Sequence, residues 1–141
     1  MSAHLCSRTL YQAIAATMHR MALQEASPGW GATHQFLNHV TGADYRQAPA
    51  SEVENAITGV VRKLYDLNRL ALVTRYGDPY LREVRLDLGP SKPLTDRELV
   101  NALGEVAYQC AEYLTGETQL YDHLMRYQAQ LALELLVAGP R

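Results

Sequence analysis

Apolar positions near the start of the chain recur at helical steps: Leu10, Ile14, Met18 and Met21 are four, four and three residues apart, enough to line one face of a helix. Ser27-Pro-Gly-Trp-Gly31 interrupts this pattern. A short second helix follows from Ala32 to Val40, with Phe36, Leu37 and Val40 as its apolar members and Thr41-Gly42 as its stop. From Ala43 to Ala50 no periodicity survives, so a connecting loop is expected. Ser51-Glu-Val-Glu54 has the form of a capping box, and Val53, Ile57, Val60, Val61, Leu64 and Leu67 then trace a helical stripe of about four turns. The period next changes to two. Leu70, Leu72 and Thr74 alternate with Ala71, Val73 and Arg75, and after Gly77-Asp-Pro79 a second alternating run from Leu81 to Leu88 predicts a β-hairpin.

Gly89-Pro-Ser-Lys-Pro93 forbids a continuing helix or central strand and predicts a linker. Beyond it, Thr95-Asp-Arg-Glu98 forms a second capping box. Leu99, Leu103, Val106, Cys110 and Tyr113 follow at alternating steps of four and three, the seam of a helix packed lengthwise on another helix. A last helix is expected from about Thr118 to Val137, carrying Leu120, Leu124, Tyr127 and Leu131 on one side. Its far end, with Leu133, Leu135, Leu136 and Val137, is apolar on several faces, which predicts burial both in its own chain and against a second copy.

The expected organisation is therefore mainly α with one small β-hairpin: a unit over 1–88, a linker at 89–93 and a helical dimerisation unit over 94–141. Helix, helix, helix, hairpin resembles the winged helix-turn-helix family of DNA-binding regulators. The resemblance rests on the short helix ending at Gly42, the capped helix from Ser51, and the passage Leu67-Asn-Arg-Leu-Ala-Leu72 feeding the hairpin. It covers about five eighths of the chain.

The resemblance implies a homodimeric transcriptional regulator binding double-stranded DNA. Ser51 to Asp66 would be its recognition helix, presenting Asn55, Thr58, Arg62 and Lys63 to a major groove. Arg75, Tyr76, Arg82 and Arg85 would act from the wing on phosphates or a minor groove. The C-terminal helical hairpin would join two copies through Leu99, Leu103, Val106, Tyr113, Leu124, Tyr127, Leu131 and Leu135.

Composition tempers this reading. The 141 residues are 48% apolar and 20% charged, as in an ordinary globular protein, and the net charge is −2. That charge is uneven: ten Lys and Arg stand against eight Asp and Glu up to Pro93, and three against seven afterwards. DNA affinity comes mainly from neutralising phosphates. Glu52 and Glu54 open the expected recognition helix where a phosphate backbone would be repelled, and the connection Thr41 to Ala50 is longer than the family's tight turn. The alternative is a non-enzymatic protein-binding module that uses the winged-helix fold, an inhibitor or adaptor of the kind encoded by phages and mobile elements. A continuous basic path from Arg62 and Lys63 to the hairpin arginines favours DNA; interruption by Glu52, Glu54 and Asp66 favours a protein.

Little points to catalysis. His34 and His39 are five residues apart, about 140° around a helix, and cannot clasp one metal from one face. His4, His19 and His123 have no partner at ligand spacing. There is no phosphate-binding loop, no dinucleotide fingerprint and no nucleophile elbow. The expectation is no enzyme, no cofactor, no metal and no membrane span, in the cytoplasm, with Cys6 and Cys110 as isolated thiols. Nine Tyr against one Phe suit surfaces that are half buried or used in binding.

Overall fold

A computed structural model describes residues 7–25, 31–77, 86–114 and 119–138, without the side chains of 112–114 and 138. It contains five helices: α1 (Arg8–Glu25), α2 (Ala32–Thr41), α3 (Ala50–Tyr76), α4 (Asp96–Leu114) and α5 (Leu120–Ala138). The periodic stripes explain them. Ile14, Met18 and Met21 of α1 and Val53, Ile57, Val61 and Leu64 of α3 are all buried, and the two helices run antiparallel, with Tyr11 edge-on to Tyr65 at 5.3 Å. Gly42 terminates α2 in the left-handed region (φ 76°), where its amide donates to Asn38 O at 2.8 Å. Asn38 also orders the loop beyond, its Oδ1 accepting from the Tyr45 amide at 2.9 Å.

The expected hairpin is overturned. Residues 70–76, its first strand, are the last two turns of α3, which continues to Gly77. The short run from Leu70 to Arg75 fits either period, and burial shows which one applies. In a strand Leu70 and Leu72 would share a face. Instead Leu70 is 47% exposed, whereas the adjacent Ala71 and Leu72 are fully buried and extend the stripe from Leu64 and Asn68 at helical steps. Helical propagation from a 20-residue amphipathic segment outweighs the local alternation. Most of the second strand lies outside the described residues. Leu86 to Leu88 carry no strand, and no strand occurs among the described residues.

The two capping boxes behave differently. At Thr95 the box forms in full: the Glu98 amide donates to Thr95 Oγ1 at 3.1 Å and the Thr95 amide to Glu98 Oε1 at 2.9 Å. These bonds hold the Glu98 carboxyl below its usual range. At Ser51 it does not form, because α3 begins two residues earlier than a Ser51 cap requires and the Glu52 and Val53 amides bond to Pro49 O.

The segment expected as a linker is pinned to α1 on both sides by its flanking residues. The Leu94 amide donates to the buried Thr17 Oγ1 at 2.7 Å, Arg20 reaches Asp96 Oδ1 at 2.8 Å, and Gln12 Nε2 donates to Asp87 O. Past it, α4 packs on α3, and α5 packs on α2 and antiparallel on α4. One apolar cluster runs from Tyr11 through Phe36 and Leu64 to Leu103, Leu124 and Leu131, so both sides of Pro93 share a core. Within α4, Cys110 departs from helical geometry (φ −120°, ψ 22°) while its thiol donates to Val106 O at 2.7 Å. No helix among the described residues is long and apolar enough to cross a membrane.

Candidate functional site

Among the described residues expected to read DNA, Asn55 and Arg62 share one face of α3 and Arg75 does not. Asn55, Arg62, Lys63, Arg75 and Tyr76 are exposed on α3 and Thr58 is half-buried, while Arg82 and Arg85 lie outside the described residues. At about 100° per residue, Asn55, Arg62 and Asp66 fall within about 40° of one another, with Glu52 about 60° from Asn55. Arg75 points about 160° away from Asn55. Thr58 turns toward α1 and Lys63 toward the end of α2. The outward face of α3 thus alternates in sign, with Glu52 and Asp66 sharing the face of Arg62.

Thr58 borders a cleft of about 590 Å³ between α1, α3 and the segment 88–93. Gln12, His19, Arg20 and Glu54 also line it, His19 Nε2 standing 4.0 Å from Glu54 Oε2. Arg20, its strongest cation, is already committed to Asp96. The mixed lining offers no converging set of groups for one ligand chemistry. Among the described residues no three His, Cys, Asp or Glu side chains are grouped to hold a metal.

A second polar cluster lies where α1 meets α2. Glu25, the last residue of α1, accepts from the Thr33 and His34 amides and from His34 Nδ1, each at 3.1 Å. Its carboxylate satisfies orphan donors at the start of α2, whose N-cap residue Gly31 has no side chain to do so. A Cβ at Gly31 would collide with the Glu25 side chain. Behind it, the Thr33 and Tyr127 hydroxyls are 2.9 Å apart and the Tyr127 ring stacks on Phe36 at 4.7 Å. Burial pushes the Tyr127 hydroxyl above its ordinary range. This cluster ties α1, α2 and α5 together. Sequence reading missed it, because Glu25 and His34 meet only across the interrupted segment.

The residues expected at a dimer interface are mostly interior. Leu99, Leu103, Val106, Leu124, Tyr127 and Leu131 are buried in the single chain, where α4 and α5 cover each other and pack on α2 and α3. Only Leu135 is half-buried, and the Tyr113 side chain lies outside those described. Those described as buried are covered by the same chain and offer no surface to a second one.

The outward side of α5 remains. Its described exposed positions are Asp122, Arg126, Ala129, Leu133, Glu134, Leu136 and Val137. Leu133 is 59% exposed, Leu136 78% and Val137 82%, a contiguous apolar patch at steps of three and one. At the other end of the helix, His123 stacks on His39 of α2 at 5.4 Å. Burial first, then the neighbouring His39 and Arg126, pull its pKa below 6.5, with Asp122 opposing. Comparison of the chain with protein-family models, with curated proteins and with solved structures finds no match.

Proposed function

We propose that this chain is a non-enzymatic protein-binding module whose docking surface is the outward side of α5. One observation carries the reading: Leu133, Leu136 and Val137 stand in solvent together on a helix whose opposite face is fully used in the core. Contiguous apolar patches are uncommon on monomers and mark interaction sites, whereas single exposed leucines are ordinary. The charge pattern of α3 supports the same choice. A helix that sets Asp66 one turn from Arg62 and Glu52 one turn from Asn55 repels a phosphate backbone as well as attracting one. The proposed site of action is the cytoplasm, supported by two well-separated cysteines, of which Cys110 is buried.

The test is fluorescence anisotropy of the purified protein with a pool of labelled duplexes at about 50 and 200 mM salt, a range over which several phosphate contacts cost orders of magnitude in affinity. The expected result is no binding at either salt concentration. Tight binding at low salt that collapses at high salt would replace this reading with a DNA-binding regulator.

A further inference from the structure

We infer that the occupant of the outward α5 face is a second copy of this chain, with the two α5 helices antiparallel about a two-fold axis near Gln130. The inference rests on the docking reading above and names its partner. α5 packs on α2 and α4 and meets α1 through Tyr127 and Met21, while Arg126, Ala129, Leu133 and Leu136 on its other side are exposed.

The order of residues on that side is self-complementary. Arg126, Ala129, Leu133 and Leu136 follow at steps of three, four and three, the spacing of a helix-pairing seam, and Asp122 closes it at the polar end. Ala129 sits next to the axis, where a small exposed side chain lets two helices approach within the 8–10 Å typical of packed pairs. Antiparallel pairing then sets Leu133 and Leu136 of each copy over Ala129 and the aliphatic stem of Arg126 in the other, covering the patch that one chain leaves in water.

Charge fixes the direction. Arg126, Gln130 and Glu134 run along one flank of α5 at steps of four. In an antiparallel pair the same flank of each helix faces its equivalent, so Arg126 meets the partner's Glu134 and Glu134 meets the partner's Arg126. In a parallel pair this flank would face the partner's opposite flank, so Arg126 and Glu134 would not meet. Within its own chain neither residue has an ion pair among the described residues. Partial burial and the nearby Glu25 and Asp96 carboxylates hold the Glu134 carboxyl above its ordinary range, opposed by a hydrogen bond from Gln130.

Sedimentation equilibrium on the full chain tests the inference, with four variants: Leu136→Asp, Arg126→Glu, Glu134→Arg and the exchange Arg126→Glu/Glu134→Arg. All three positions are exposed, and circular dichroism confirms that each variant is folded. The wild type is expected to dimerise reversibly. Leu136→Asp should weaken the dimer about a hundredfold by setting a carboxylate in the apolar seam. Each single charge reversal should weaken it about fivefold, and the exchange should restore it. A wild type that stays monomeric to millimolar concentration overturns the inference, as does a dimer indifferent to Leu136→Asp. Neither result touches the docking reading, which fails separately if the protein binds duplex DNA with a steep salt dependence.

Discussion

α3 and α5 are both long amphipathic helices with one face in the common core, and they differ in what they turn to solvent. α3 presents Glu52, Asn55, Arg62 and Asp66, opposite charges on one face, with Gly59 open among them. α5 presents Asp122, Arg126, Ala129 and Glu134 and, toward its far end, Leu133, Leu136 and Val137. The sequence-level charge balance drew attention to the first half, where basic residues are in excess. The burial pattern draws it to the second, because a solvated mixed-charge face needs no partner whereas an exposed cluster of Leu and Val does.

The contrast can be broken most forcefully by truncating the two sides of α5. Leu124 is fully buried, so Leu124→Ala should destabilise the fold by about 2–5 kcal/mol. Leu136→Ala, on the outward side, should change the stability of the monomer by less than about 0.5 kcal/mol. Urea denaturation at low protein concentration measures both. A large loss from Leu136→Ala would mean that this side chain belongs to the core and is no docking surface.

A smaller effect sharpens the α3 side. Gly59 lies in the helix interior with nothing within 4 Å of an added Cβ, so Gly59→Ala should stabilise the protein by about 0.5–1 kcal/mol and leave its association unchanged. Weaker association together with the gain in stability would place a partner's backbone against α3.

The smallest expected effect concerns the polar end of α5. The His123 pKa is depressed in the fold, so between 6.5 and that lower value the unfolded chain binds more protons than the native one. The stability due to neutral His123 is fully present above pH 6.5 and is lost as pH falls through the folded pKa. Thermal unfolding of the wild type and of His123→Asn from pH 7.5 to 5 should show this slope in the wild type and a shallower one in the variant. Equal slopes would remove His123 as its source.

Four of the helices were legible nearly to their ends because their stripes are long and their stops chemical: Gly42 ends α2, and Thr95 with Glu98 starts α4. The wing was not. Leu70 to Arg75 suits both periods, and what decides it, the burial of Ala71 and Leu72 against neighbouring helices, is tertiary. Without the wing, the resemblance to a winged helix loses the element that distinguished it. The seam of α4 and α5 was visible as apolar spacing, but spacing does not say whose helix covers it. The Glu25 cluster was invisible for a related reason: a carboxylate capping a helix that begins seven residues later has no signature of fixed spacing. On α5, by contrast, surplus apolar residues at the far end were readable from sequence, and they remain the strongest pointer to a partner.

The most direct test of the account introduces a photo-crosslinking amino acid at position 136 in one preparation and at position 62 in another, irradiates each pure protein and maps the adducts by mass spectrometry. The account predicts covalent dimers from position 136, joined to the first half of α5, and none from position 62. Dimers from position 62, or none from position 136, would contradict it.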